Sequence, residues 1–366
     1  MIPTYALVIH MEIEPRKVQR LGYSSLGVSL PKDWAKSAGI EPGATVLVVK
    51  EDDGTLRIRT GEPASAAPAV GEECVLDADT CGRPEGLRRL LIGAYVVGRS
   101  SIRVKSRTGL SPEHVKEIHE AARSLTGLTI VNQGPKFVLL ANFAEPTRFP
   151  IDGLLRRLQY LTTRMAHLAL QPLRGRGGHE VSEIHRLEDE ADRLYWLVSR
   201  QLLLAARDRS VAAKIGVTEP RHLLGDRVVA ITLERIADLW EEVARGVESL
   251  HEAGFRPTSG FAETAGGLED SLASLAEATM TAFFATSLSD ANASLDLSPS
   301  VAAQVQALRA QAPSQKCERG LDVCTSCLLV GEVVRPIGEI VGEYGTVAQL
   351  TMNRALEAEQ ASFGLG

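Results

Sequence analysis

From Phe149 onward, apolar residues recur every three or four positions, the spacing of the buried face of an amphipathic helix. Stretches rich in Gly, Pro and Ser interrupt this pattern at "RGRGGH", "RDRSV", "GFRPTSG" and "DLSPS". "LERIADLW" at 233–240 also aligns with "VRPIGEIV" at 334–341, which is consistent with a duplicated three-helix unit. The pattern predicts six long helices in two sets of three, at 150–173, 179–208, 218–253, 260–290, 297–315 and 322–360.

The front of the chain shows a different pattern, with apolar and polar residues alternating over short stretches such as "VSL", "TVLVV" and "LRI". This alternation predicts strands. "DDG" at 52–54 is an Asp-Gly hairpin signal. In "PKDWAKSAG", Pro31 begins and Gly39 follows one short helix. We therefore predict a strand-rich module over residues 1–61.

Two further segments separate this module from the helices. Residues 62–83 are mostly small, contain Pro and Gly and lack helical spacing, which predicts a linker. Residues 84–145 alternate helix-like and strand-like stretches, beginning with "PEGLRRLLIGAYVVG" and "SIRVKS", which predicts a small α/β unit. The predicted fold is thus multidomain, ending in all-α three-helix repeats at 149–256 and 258–360.

Composition narrows the classes of partner and compartment. The 366 residues carry a formal net charge of −6, and the negative excess lies in the back half, so only the front half suits a polyanion. Five cysteines are too few for a disulfide scaffold. The sequence has neither a long apolar run nor a secretory leader, so we expect a cytoplasmic protein.

Two predicted helices carry carboxylates four residues apart, Glu188 with Asp192 and Glu234 with Asp238. Such neighbours on a helix repel each other by roughly 0.2–0.5 kcal/mol. One interpretation is a solvated acidic face, since Glu234 and Asp238 lie opposite the apolar arc of their helix. The other is convergence of four carboxylates on a hard cation or Fe³⁺, which prefer oxygen ligands. Neither pair has the Glu-x-x-His spacing of a ferritin-type di-iron site, which disfavours redox chemistry.

The motifs "EDEAD" and "ERIAD", in a doubled three-helix arrangement over about 149–360, resemble the PhoU family of phosphate-uptake regulators. The resemblance implies a metal site, reported as iron or zinc in that family, and assigns the ligand role to Glu188, Asp192, Glu234 and Asp238. The second repeat departs from the motif, because Arg335 and Glu339 stand where Glu and Asp are expected. This departure argues against a second metal site, although Glu339 and Glu343 form an i,i+4 pair that could serve as a remnant.

The front module, "RKVQRLGYSSLGVSLPKDWAKSAGIEPGATVLVVKEDDGTLRI", resembles the SpoVT/AbrB swapped-hairpin β-barrel, a dimeric DNA-binding fold. The resemblance implies a homodimer through this module. Candidate phosphate contacts are the cations of its basic segment and helix start, namely Arg16, Lys17, Arg20 and Lys32. Glu12, Glu14 and Asp33 lie among them, so a module that only dimerises is the alternative.

The remaining motifs do not indicate a further site. Cys317, Cys324 and Cys327 are one ligand short of a four-thiolate zinc site. Two interpretations stay open: ordinary packed or surface cysteines, and a zinc or disulfide role. The chain contains no GxxxxGK[ST] and no GxSxG motif, which leaves nucleotide binding and serine hydrolysis unsupported.

Taken together, these features predict a non-enzymatic, phosphate-responsive, metal-binding regulator that binds DNA as a homodimer. The alternative is a dimeric adaptor without DNA binding that docks on a phosphate transporter's ATPase or on a sensor protein, as the PhoU resemblance implies. Metal storage or metal-dependent hydrolysis is a third hypothesis, disfavoured because the carboxylates are expected to be exposed and lack a poised nucleophile.

Overall fold

The structure is a computed structural model that describes residues 14–50, 54–60, 73–176, 181–317 and 323–357. The chain divides into a front unit, Met1–Val70, and a back unit, Gly71–Gly366. Within the described residues, no helix combines the length and apolar character needed to cross a membrane.

The front unit consists of two antiparallel hairpins with one short helix between them. Its elements are β1 (Gln19–Leu21), β2 (Ser25–Gly27), α1 (Lys32–Ser37), β3 (Val46–Lys50) and β4 (Leu56–Thr60). Gly22 in the first turn and Gly39 after α1 have φ angles of 74° and 67°, which favour glycine. Most of the predicted Asp-Gly turn lies outside the described residues, but β3 and β4 pair as expected. The strands and helix are confirmed, and the closed, swapped barrel stays a prediction.

The described residues of the front unit, 14–50 and 54–60, form no buried core among themselves. None of its residues with described side chains is buried, and apolar side chains such as Leu26 (73% exposed) and Val18 (64% exposed) face solvent. A folded domain normally buries its large apolar side chains because their transfer out of water is favourable. The unit therefore leaves apolar surface for a second polypeptide to cover.

The back unit begins with a small α/β unit whose sheet order is β5-β6-β8-β7. Strands β5 and β6 are parallel, and the other neighbours are antiparallel. Its elements are β5 (Cys74–Asp77), α2 (Gly86–Val96), β6 (Ser101–Lys105), α3 (Pro112–Ser124), β7 (Leu128–Gly134) and β8 (Phe137–Asn142).

The predicted linker over 62–83 is wrong at its C-terminal end. Residues Cys74–Asp77 form strand β5, which pairs with Ser101–Lys105. The stretch is only four residues long and pairs with residues about 28 positions further along the chain, so its local pattern carries no clear strand signal. The α/β unit therefore starts before the predicted residue 84.

Long helices make up the rest of the back unit, as the apolar periodicity predicts. They are α4 (Ile151–Leu170), α5 (Val181–Arg207), α6 (Arg209–Lys214, short), α7 (His222–Glu252), α8 (Ser259–Ala285), α9 (Leu288–Ala310) and α10 (Val323–Leu356). Two-residue strands β9 (Phe255–Arg256) and β10 (Lys316–Cys317) pair antiparallel.

The boundary between α8 and α9 differs from the prediction, which placed it at the "DLSPS" break. The chain turns instead at Thr286, whose φ is 51°, and Ser287 caps α9 by accepting a hydrogen bond from the Asp290 amide. Pro299 lies inside α9. A proline in a helix removes one backbone donor, yet packing of the surrounding turns keeps this helix continuous.

The back unit contains two apolar clusters. One is formed by the helices of both repeats, and the other lies between the sheet and helices of the α/β unit. Trp196 on α5 packs against both clusters. The α/β unit therefore rests on α5, one of the two helices that carry the candidate metal ligands.

Candidate metal centre

The predicted ligands meet where helices α5 and α7 pack side by side. Glu188 and Asp192 come from α5, and Asp238 comes from α7. One carboxylate oxygen of each lies within 4.8 Å of the others. We call these three residues together with Glu234, which precedes Asp238 by one turn on α7, the acidic cluster. Three of the four predicted ligands, from two helices, thus come together, and Glu234 lies outside this closest trio.

The acidic cluster is more enclosed than its sequence suggests. Glu234 and Asp238 lie opposite the apolar arc of α7, but they are partly buried because α5 covers that side. The expectation of exposed carboxylates is therefore wrong. A helical wheel describes one helix and does not show which neighbour packs against its polar face.

Burial and mutual repulsion act together on the α5 pair. Burial, followed by the charge of Asp192, raises the pKa of Glu188 to about 8. Burial, followed by the charge of Asp238, raises the pKa of Asp192 to about 6, against a lowering by Arg88. Both effects disfavour the charged carboxylate.

The α7 pair behaves in the same way. Burial, followed by Asp238 and Asp192, raises the pKa of Glu234 to about 7. Burial also raises the pKa of Asp238, against a lowering by Arg235. A site that disfavours its own negative charges gains stability from any cation bound between them.

One further carboxylate near the cluster, that of Glu241, has direct partners. Glu241, one turn after Asp238, contacts His185 Nδ1 at 2.5 Å and Arg245 Nη2 at 3.2 Å. Arg245 gives Glu241 a direct cation, as the i,i+4 spacing predicts. Among the residues that the structure describes, no lysine or arginine forms such an ion pair with a member of the acidic cluster.

The second repeat has arginine where the first has carboxylates. Arg335 forms ion pairs with Glu339 and with Glu242 of α7, and Arg235 contacts Glu339 at 3.2 Å. The chain's own cations thus already neutralise Glu339. Among the described residues, the only group of three or more close metal-ligating side chains is the one in the first repeat.

The donor set defines which cations fit the acidic cluster. All donors are carboxylate oxygens, which suit hard ions such as Mn²⁺, Mg²⁺ and Fe³⁺ and also bind Zn²⁺. Cys327 packs against the bundle core. The side chains of Cys317 and Cys324 lie outside the described residues, so the zinc or disulfide role of these cysteines stays a prediction.

The candidate DNA contacts all lie on the surface of the front unit. Arg16 and Lys17 precede β1, Arg20 lies in β1, and Lys32 begins α1. Arg16 forms an ion pair with Glu14, so part of its charge is neutralised within the chain. Surface exposure suits phosphate contact, but it is also the ordinary state of lysine and arginine.

One residue near the acidic cluster was not predicted from the sequence. Arg88 lies in the first turn of α2 and acts electrostatically on Asp192, which lies far away along the chain. No local spacing rule connects these two positions, so only the packing of the α/β unit on α5 reveals the pair.

Comparison with known families gives two matches. Residues 155–247 match the model described as the PhoU domain, which includes the whole acidic cluster. Residues 19–66 match the model described as antidote-toxin recognition MazE, bacterial antitoxin. Searches of curated proteins and of solved structures gave no match. Residues 155–247 are therefore similar to the PhoU domain, and residues 19–66 are similar to the MazE antitoxin domain.

Proposed function

We propose that this chain is a cytoplasmic, non-enzymatic regulator of phosphate uptake that binds a metal ion through its first helical repeat. The observation that carries the proposal is the convergence of Glu188, Asp192 and Asp238 inside the segment matched to the PhoU domain. The PhoU match supports a role in phosphate homeostasis. Iron or zinc is the proposed ion, by the resemblance of the motifs, and the oxygen donors also accept manganese.

Removal of two ligands tests the metal site. In an Asp192→Asn, Asp238→Asn variant, we expect purified and reconstituted protein to lose the stoichiometric ion that the wild type retains, because two of three close charged oxygens become neutral amides. Elemental analysis by mass spectrometry measures this content. A single Glu234→Gln variant is expected to lower the content less, since Glu234 lies outside the closest trio.

The second repeat supplies the matched control. A Glu339→Gln, Glu343→Gln variant removes the same number of charges from a place where Arg335 and Arg235 already neutralise Glu339. Its metal content is expected to equal that of the wild type. Full metal content in the Asp192→Asn, Asp238→Asn variant would disprove the site.

The front unit is proposed to form a homodimer. Its described side chains include none that is buried, while the apolar side chains of both hairpins are exposed. A second copy covers such a surface most simply, because two identical hairpin pairs then share one core. Dimerisation also doubles the number of cations available for a polyanion.

DNA binding by this dimer is the second part of the proposal. Four candidate cations per chain give about six to eight phosphate contacts in a dimer, and the affinity is then expected to fall steeply with salt. In fluorescence anisotropy with duplex DNA from its own promoter region, an Arg16→Ala, Lys17→Ala, Arg20→Ala variant is expected to lose most of this binding and most of its salt dependence.

A variant with the same change in net charge serves as the control. Lys105→Ala, Lys116→Ala, Lys136→Ala removes three exposed cations from the α/β unit and is expected to leave DNA binding unchanged. Absence of binding by the wild type at low salt would overturn the DNA-binding part. The alternative then holds, namely a dimeric adaptor that docks on a phosphate transporter's ATPase or on a sensor protein. The ion pair of Arg16 with Glu14 favours this alternative.

A further inference from the structure

A cavity of about 400 Å³ lies between the two helical repeats. Its walls come from α4 and α7 of the first repeat and from α8 and α10 of the second. This volume falls within the range of about 300–1,000 Å³ that small-molecule sites occupy in proteins. The cavity shares no residue with the acidic cluster, so the proposed metal site leaves it without a role.

The inner part of the cavity is aromatic and apolar. Trp240 on α7 and Tyr344 on α10 both line the cavity, yet they are only 1% and 3% exposed, so they belong to its inner wall. Leu272 and Ala276 on α8 also line it and are buried. Such a wall suits a flat apolar group, because planar rings pack favourably against aromatic and aliphatic side chains.

Tyr160 on α4 lies at the mouth of the cavity. It lines the cavity and is 56% exposed. The guanidinium of Arg157 lies over its ring, 4.9 Å from the ring centre, and Arg157 is itself paired with Glu190 at 2.7 Å. These contacts hold one face of the Tyr160 ring and leave the other face available to a planar group.

The acidic residue that lines the cavity is Glu269 on α8, and its oxygens already have partners. Arg174 donates a hydrogen bond to Glu269 at 2.5 Å, and Gln171 donates one at 3.3 Å. The Nδ1 atom of His167 lies 2.7 Å from Oε1 of Glu269. The carboxylate is thus neutralised within the chain and has little to offer a cationic ligand.

Arg164 on α4 supplies an exposed positive charge to the cavity. Among the described residues, its side chain forms no direct hydrogen bond or ion pair. Glu183, on which its charge acts, is already paired with Arg186 at 2.6 Å. A guanidinium binds a phosphate or carboxylate group through two parallel hydrogen bonds. The mouth of the cavity therefore favours an anionic group.

We propose that this cavity binds a small aromatic anion, with a nucleoside monophosphate as the class that fits, since it carries one planar base and one phosphate. The ring packs against Trp240, Leu272 and Tyr160, and the acidic group pairs with Arg164. The inference goes beyond the proposed function, because it concerns neither the metal ion nor DNA. The walls come from both repeats, so the bound molecule joins them and gives the regulator an input for a small-molecule signal.

Titration calorimetry of the full chain with adenosine monophosphate (AMP), in chelator, tests the site. The wild type is expected to bind AMP, and to bind adenosine at least about ten-fold more weakly, because adenosine lacks the group that pairs with Arg164. Arg164→Gln is expected to bind AMP as weakly as the wild type binds adenosine. Arg193→Gln has the same change in charge at an exposed position of α5 outside the cavity, and it is expected to bind AMP as the wild type does.

Obstructing the cavity gives an independent test. Ala273 lines the cavity from an exposed position of α8, so Ala273→Phe is expected to fold normally and to abolish AMP binding. Ser274→Phe places the same ring one residue further along α8, at an exposed position that does not line the cavity. This control is expected to bind AMP as the wild type does. Without AMP, both variants are expected to keep the wild-type melting temperature.

The outcomes separate this inference from the proposed function. Absence of AMP binding by the wild type overturns the inference, and so does an AMP affinity that is unchanged in both Arg164→Gln and Ala273→Phe. Equal affinities of the wild type for AMP and adenosine contradict the pairing with Arg164. Because the chelator removes metal, failure of the metal site leaves AMP binding to be decided by itself, and failure of AMP binding leaves the metal content unaffected.

Discussion

Without metal, the free energy of unfolding is expected to increase as the pH falls from about 8 to about 5.5. The cause is the acidic cluster, in which Glu188, Asp192 and Glu234 have pKa values of about 8, 6 and 7. Their ordinary values are 4.5, 3.8 and 4.5. Burial is the largest cause of each increase, and repulsion between the carboxylates adds to it.

The direction of this pH dependence follows from the number of protons bound in the folded and unfolded states. A carboxyl group with a raised pKa binds more protons in the folded than in the unfolded state between the two pKa values, so acid favours the folded state there. This contribution is complete below about pH 4, and it is lost as the pH rises through the folded-state values of about 6 to 8. After allowance for screening by water, we expect an effect on the order of 3 kcal/mol.

Urea denaturation in chelator at several pH values measures this dependence. The Asp192→Asn, Asp238→Asn variant is expected to show a flatter profile, because it removes two of the titrating carboxylates and their repulsion of Glu188 and Glu234. Saturating Mn²⁺ is expected to reverse the slope in the wild type, since the bound ion holds the carboxylates charged and protons compete with it. A metal-free stability that stays constant, or that increases toward pH 8, would contradict the prediction.

The long helices are predictable because their signals are local. On α7, one apolar arc runs from Val229 to Leu250, and the structure buries both residues. Likewise, Ser111 caps α3 by accepting a hydrogen bond from the His114 amide, with Pro112 in the first turn. The hairpin turns of the front unit also depend on residues only a few positions apart.

Features that depend on distant pairing are not predictable in this way. Strand β5 exists because Cys74–Asp77 bond to a strand on the far side of α2. The burial of Glu234 depends on α5 packing over the polar side of α7, and the effect of Arg88 on Asp192 depends on how α2 lies along α5. The periodicity of a sequence identifies the apolar face of a single helix or strand, but it does not show which other element packs against that helix or strand.

The second repeat lacks the acidic motif, and ion pairs occupy the corresponding positions. Where the first repeat has carboxylates that repel each other, the second has Arg335 bridging Glu339 and Glu242 across two helices. In the second repeat, the guanidinium of Arg335 neutralises the carboxylates. In the first repeat, a metal ion is proposed to do so. The sequence predicts the absence of the motif, and the structure adds the ion pairs that make a cation unnecessary there.

Replacing Arg354 with Leu is expected to lower the free energy of unfolding by about 3–5 kcal/mol. Arg354, near the end of α10, donates a hydrogen bond from Nη1 to Oδ1 of Asp226 at 2.9 Å. Asp226, near the start of α7, is only 3% exposed. Without its partner, the carboxylate would stay buried with an uncompensated charge, which is the costly case for a buried ion pair.

The raised pKa of Asp226 supports this expected loss of stability. Burial raises its pKa to about 6, even though Arg354 lowers it. Without Arg354 the pKa is expected to rise further, so the folded protein must either bury the charge or take up a proton near neutral pH. Adding Asp226→Asn to the Arg354→Leu variant is expected to restore part of the stability, because it removes the unpaired charge.

An exposed pair nearby provides the control. Arg221 contacts Glu357 at 3.1 Å with its side chain 53% exposed, so Arg221→Ala is expected to change stability by less than about 1 kcal/mol. Urea denaturation at pH 7 compares the variants, and equal losses in Arg354→Leu and Arg221→Ala would refute the argument. Metal content is expected to stay at the wild-type level in both variants, because the pair joins α7 to α10 two turns away from Glu234, outside the acidic cluster.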